Sequence, residues 1–423
     1  MKRTRNENRI QKLSPKKLKF HERDGNFVSI LSIWRRKLGI DVGLDGHGVH
    51  WIAYLSIFSF IVTTISQVIS FSQATDDTAK MFECFSVISF CAVGLLKLYS
   101  LRGKHQRWYS LLSSATDLEV QELNSEDSLN VDYESDEEEE LVQQQITKYT
   151  QKFTSTSNLL SRIYLATGYI YILSPFIEYA IWKCQGAKIV EYPHILPVWT
   201  ALEKMFFPVY VITIILEAIA SVYCVYVHIA FDLSLVGMMI FIHGQFLLLR
   251  KSCERVGGQG RECDLSQKRD LRAHFRISKC QRMHTSLIKS VNELSSLTKN
   301  ILGIYFNVAT LTLCSVALQV LSDELSTTQL FKLLQYMCAS LTQLFLFCYY
   351  GDGVINESSV GLGEGASASA CWCLSPHIRR EVALLCVCMT RRCRLLAGPF
   401  HSVDLPTFIQ VTRLHFTSYL LTR

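Results

Sequence analysis

The sequence predicts an all-α membrane protein in which seven helices cross the bilayer, with the N-terminus cytosolic and the C-terminus extracellular. Three observations carry this expectation. Only 19% of the 423 residues are charged, against roughly 25% in soluble domains, while 49% are hydrophobic and 11% aromatic. The apolar residues are gathered into blocks, most of them about 20 residues long or more, the length a helix needs to span a hydrocarbon core. The segments richest in Lys and Arg alternate with these blocks so that all of them fall on one side, the cytosolic side by the positive-inside rule. Mean hydropathy is a modest +0.19 because charged segments at 1–44, 102–152 and 250–289 dilute the apolar blocks.

Residues 1–48 form a basic N-terminal segment. Its first 44 residues hold twelve Lys or Arg and no apolar run of the kind that forms a signal peptide's core. Lying directly before an apolar block, this run suits anionic lipid better than nucleic acid. Residues 49–350 carry six spans. His50 to Phe71 is the first and Met81 to Leu101 the second, ending in the basic cluster Lys97, Arg102, Lys104 and Arg107. The cytosolic stretch 102–156 contains the acidic run Asp136 to Glu140, and the polar composition between Trp108 and Lys148 predicts a disordered loop. Leu159 to Trp182 is the third span, with Pro175 expected to kink it.

Phe207 to Leu249 is too long for one crossing, yet it shows no clear turn. Counting it as two spans would place the later basic loops outside. It therefore reads as one long fourth helix whose end, with Asp232, His243 and Gln245, projects into the cytosol. Eleven basic residues follow between Arg250 and Lys289, then the fifth span, Leu297 to Leu321, and the sixth, Leu330 to Tyr350. Residues 351–404 hold five Arg and form a further cytosolic segment.

The terminal block, 405–423, opens at Pro406, a residue suited to the first turn of a helix. At 100° per residue Gln410, Arg413 and Thr417 share a face with Leu420 and Leu421, while Phe408, His415, Phe416 and Tyr419 share the opposite one. A polar stripe on a spanning helix belongs against protein or a wet cavity and is a candidate functional surface. No phosphate-binding loop, HExxH or nucleophile motif is present, so an enzyme is not expected. The 15 Cys are scattered, and the Cys371-x-Cys373 and Cys386-x-Cys388 spacings differ from the usual zinc pattern, so neither a disulfide framework nor a metal or other cofactor is expected.

Three stretches together resemble the insect odorant receptors. They are His243-Gly-Gln245-Phe246 with Leu248; Gln343 to Gly351 running into Asn356-Glu-Ser358-Ser359; and Trp372, Arg379-Arg380, Leu396-Ala-Gly398-Pro-Phe400 and Ser418-Tyr419 of the terminal helix. The Gly361 to Ala370 stretch departs from that pattern, standing where the family carries a helical Ala and Tyr segment. The resemblance implies the tuning subunit of a tetrameric, odorant-gated, nonselective cation channel, assembled with the olfactory co-receptor in the plasma membrane of sensory-neuron dendrites. It implies that 351–404 forms a cytosolic anchor and that the seventh helix lines a shared pore, with Gln410 and Thr417 on its wall and Leu421 at the gate. It also implies a pocket for a small volatile in the outer half of the bundle. Phe85, Ser89, Tyr171, Ser174, Tyr210, Ile214, Tyr336 and Ser340 are the candidate ligand contacts. A gustatory receptor channel of the same superfamily and a G-protein-coupled receptor are the alternatives; the latter has the opposite topology.

Overall fold

The computed structural model describes residues 51–73, 78–123, 134–186, 192–199, 207–258, 266–320, 327–399 and 401–421. The basic N-terminal segment and the turn at Asp76 and Asp77 lie outside the described residues. The helices are α1 (Trp51–Gln73), α2 (Thr78–Gly103), α3 (His105–Leu123), α4 (Glu134–Cys184), α5 (Phe207–Glu254), α6 (Gln267–Val320), α7 (Thr327–Asn356), α8 (Leu362–Ser367), α9 (Pro376–Met389) and α10 (Leu405–Leu421). Among the described residues, α1, α2, α5, α6 and α7 include stretches long and apolar enough to cross a membrane. The stretches expected as the third and seventh spans lie in the longer, more polar α4 and in the 17-residue α10.

The bundle is built around α5, which packs against α1, α2, α4, α6, α7 and α8. The reason lies in its sequence: from Tyr223 onward nearly every position is apolar, so the helix is greasy all round, as a central helix must be. Phe231, Phe241, Phe246 and Leu249 are fully buried in it. At 1.5 Å per residue α5 is about 72 Å long, more than twice the thickness of a hydrocarbon core. As expected it is one unbroken helix.

The polar residues towards its end are enclosed by protein. Asp232 and Gln245 are fully buried and His243 is half-buried, because neighbouring helices surround α5 along this whole length. Lys97, expected in a basic cluster at the end of the second span, is 1% exposed inside the bundle. The expected disordered loop is also corrected. Its first part is α3, and 134–148 opens α4. Trp108, Leu111, Leu112 and Ala115 recur at helical spacing and are buried against the bundle, where Trp108 meets Phe231 edge-on at 6.0 Å. The acidic run at 136–140 lies in the helix α4. Pro175 lies inside α4 without ending it.

The Gly361 to Ala370 stretch is helical over most of its length despite its composition. A π turn at Glu357–Gly361 continues into α8, where Leu362, Gly365 and Ala366 are buried. Gly365 is required there, since a Cβ would lie 2.6 Å from Arg250 Cγ and 2.9 Å from the Arg250 carbonyl oxygen. After α9 a short antiparallel hairpin pairs Leu396 with Ser402 and Ala397 with His401. Gly398, at φ +69°, turns the chain back against Gly303 of α6, and its amide donates to the Lys299 carbonyl at 2.8 Å. Asp404 then caps α10 by accepting from the Thr407 amide at 3.0 Å. α10 packs chiefly on α6 and α7, at the edge of the bundle.

Candidate ligand-binding site

A cavity of about 630 Å³ opens within the bundle, in the range of pockets that hold small ligands. Its wall comes from six helices: Phe60 and Thr63 on α1; Ser86, Phe90 and Cys91 on α2; Tyr164, Thr167 and Tyr171 on α4; Ala220, Ser221 and Cys224 on α5; Val316 and Gln319 on α6; and Lys332, Tyr336, Ser340 and Gln343 on α7. Most of this surface is aromatic or aliphatic, so a bound molecule would draw affinity chiefly from apolar area removed from water.

Leu196 closes one side from the segment 192–199. That segment is pinned by the buried carboxylate of Glu217, which accepts from the Ile195 amide at 2.8 Å and the Leu196 amide at 3.2 Å and meets His194 Nδ1 at 3.1 Å. At the cavity mouth Lys332 Nζ lies 3.3 Å from Glu83 Oε1 and 4.3 Å from the centre of the Tyr171 ring.

The opposite end rests on a buried polar cluster. Lys97 Nζ donates to Asp232 Oδ1 at 2.6 Å and to His228 Nδ1 at 3.0 Å. Because the ammonium donates to Nδ1, the His228 proton sits on Nε2, which donates to the Phe90 carbonyl at 3.2 Å. The other carboxylate oxygen of Asp232 accepts from the Tyr164 hydroxyl and from Gln343 Nε2, the latter at 2.9 Å. Phe90 stacks on His228 with ring centres 4.1 Å apart. Buried charges survive in such a place only when paired and hydrogen-bonded. Here α2, α4, α5 and α7 each supply a partner.

Of the candidate contacts, Tyr171, Tyr336 and Ser340 line the cavity. Phe85 and Ser89 do not, because the face of α2 turned to the cavity is the 83, 86, 87, 90, 91 set, roughly a quarter-turn or more away. Ser174 is buried off the wall. Tyr210 and Ile214 lie too far along α5: the cavity is reached at Ala220 to Val225, and Tyr210 instead packs on Tyr192 and donates to the Pro193 carbonyl at 3.0 Å. Gln410 is exposed on α10, and the side chains of Thr417 and Leu421 lie outside the described residues. The Lys97–Asp232 pair was missed by the sequence reading. Its one local signal was an ionisable residue inside each of two apolar blocks.

Outside the spans, another buried carboxylate sits between α3 and α4. Glu119 accepts from the Tyr149 hydroxyl at 2.8 Å, and burial pushes its carboxyl above the ordinary range, partly offset by that hydrogen bond.

The sequence profile of the family described as 7tm Odorant receptor matches residues 77–416. The chain belongs to this family. The receptor is 25% identical over 391 residues to odorant receptor 22c of Drosophila melanogaster, covering 89% of this chain and 90% of that one. It is 21% identical over 289 residues to Drosophila odorant receptor 13a, covering 63% and 66%. Its fold matches the structure of the insect olfactory receptor OR5 from Machilis hrabei in complex with eugenol at a TM-score of 0.71, with 13% identity, over 94% of this chain and 99% of the other. The receptor is thus a mostly helical, membrane-spanning, ligand-binding protein of the seven-helix class, as its sequence predicts.

Proposed function

We propose that the receptor is the odorant-binding subunit of a ligand-gated nonselective cation channel that works with the olfactory co-receptor in the plasma membrane of sensory-neuron dendrites. The observation that carries the proposal is the cavity of about 630 Å³, enclosed by six helices and apolar over most of its wall. Tyr171, Tyr336 and Ser340 contact the odorant in this reading. Binding favours the state in which these helices are rearranged, and gating requires different ligand affinities in the closed and open states.

Two further observations support a subunit role. α10 lies at the bundle edge with Ile409 and Gln410 exposed, so one chain cannot enclose a pore, and Gln410, Thr417 and Leu421 would contribute one part of a shared wall. Within 351–404, the proposed cytosolic anchor, Trp372, Leu384 and Val387 are 65%, 67% and 71% exposed, apolar surface suited to another subunit. The basic N-terminal segment supports a cytosolic N-terminus, with the end of α10 then outside. Co-expression with the co-receptor, followed by recording during application of a broad odorant panel, should give an odorant-evoked cation current. Silence from protein that reaches the cell surface would overturn the proposal. An epitope tag at Met1 should stay inaccessible on intact cells.

A further inference from the structure

Several hydroxyls of the cavity's polar wall already give their hydrogen to the protein. Thr63 donates to the Ser59 carbonyl at 2.9 Å, Ser86 to the Phe82 carbonyl at 3.0 Å and Thr167 to the Ile163 carbonyl at 2.8 Å. Each hydroxyl therefore offers the cavity only its lone pairs. At the inner end the same holds for a different reason. Tyr164 and Gln343 both line the cavity; Tyr164 gives its one hydroxyl hydrogen to Asp232, and Gln343 gives it one of its two amide hydrogens.

The Asp232 carboxylate accepts only, so it fixes which way round the Gln343 amide lies: nitrogen to Asp232, carbonyl oxygen away from it. No described residue donates to that oxygen. Gln343 is eleven positions beyond Lys332 on α7, or about 16 Å deeper at 1.5 Å per residue, so the ammonium at the mouth is remote from this floor. Ser221, Tyr336 and Ser340 can serve in either sense and do not reverse the bias.

We propose that the cavity selects ligands carrying a hydrogen-bond donor, an alcohol or phenol hydroxyl on an apolar body, and that Asp232 sets this preference by turning the Gln343 carbonyl oxygen toward the ligand. The inference rests on the odorant-gated reading and adds the ligand class. Asp232 does not touch the ligand in this scheme; it acts through Gln343 as a positioning residue, with Lys97 neutralising it from behind.

The test uses the full-length receptor with its co-receptor and a set of straight-chain alcohols and substituted phenols, each beside its methyl ether, which keeps the body and removes the donor. Alcohols and phenols should evoke half-maximal current at about tenfold lower concentration than their ethers, the size of effect expected when a buried acceptor loses its partner. Gln343→Met should bring that ratio to about one while ether responses persist, and those responses show that the variant folds and gates. A wild-type receptor that answers ethers as well as alcohols overturns the inference and leaves odorant gating intact. So does a preference that survives in Gln343→Met. If protein at the cell surface is silent to every pair, the inference fails together with the reading it rests on. The wild-type comparison needs no variant and stands whether or not Gln343→Met reaches the membrane.

Discussion

Replacing Lys97 with Met removes the cation that faces Asp232 while keeping a long, flexible apolar chain in its place. At 2.6 Å the pair attracts by about 6 kcal/mol at an effective dielectric constant of about 20. Much of that attraction offsets the cost of taking both charges out of water. What the single substitution exposes is that cost, because the Asp232 carboxylate stays fully buried with Tyr164 and Gln343 but without a counter-charge. Breaking one side of a buried pair costs about 3–5 kcal/mol. Lys97→Met should therefore melt well below wild type in detergent and reach the cell surface poorly. Adding Asp232→Asn removes the orphaned charge and keeps an acceptor for Tyr164 and Gln343, so the double variant should recover most of the loss. The assay is thermal melting followed by fluorescence-detected size exclusion, run as a double-mutant cycle. The reasoning is refuted if Lys97→Met melts like wild type, or if the double variant loses as much as the two single variants summed.

Two other outcomes test the packing around this frame. Glu119 has a folded-state pKa above its ordinary value of 4.5, so its charged form costs stability at neutral pH, and that penalty fades as pH falls through the raised value toward 4.5. Glu119→Gln, which keeps an acceptor for Tyr149, should accordingly melt higher than wild type near neutral pH, with the gap closing on acidification; a constant gap across that range would count against a buried carboxyl. Gly303→Ala places a Cβ 2.7 Å from Gly398 Cα, backbone that cannot swing aside, and should cost about 1–3 kcal/mol by unseating the hairpin before α10, measured as a lower melting temperature.

The class of the protein was legible in the sequence because crossing a bilayer demands a local property: enough consecutive apolar residues, with basic residues kept to one side. The same holds for the unbroken α5, whose apolar character on every face marks a central helix, and for the start of α10 beside Pro406. Helical spacing alone would also have revealed α3, since Trp108, Leu111, Leu112 and Ala115 form a stripe that outweighs the polar composition around it. The cavity was legible only in part. Tyr171, Tyr336 and Ser340 lie on it, whereas Phe85 and Ser89 missed it by a fraction of a turn, because a membrane helix is apolar toward lipid and toward its neighbours and periodicity does not distinguish the two sides.

The sequence by itself determined that the chain is a membrane protein of long apolar helices, since hydrophobic length is written residue by residue. Which of their faces meet, and what those faces can bind, was decided by the tertiary structure alone. Lys97 and Asp232 stand 135 positions apart, and nothing local to either names the other. Their pairing, and with it the direction in which the Gln343 amide lies, comes into being only when α2, α4, α5 and α7 close around one buried carboxylate and leave it no water to turn to.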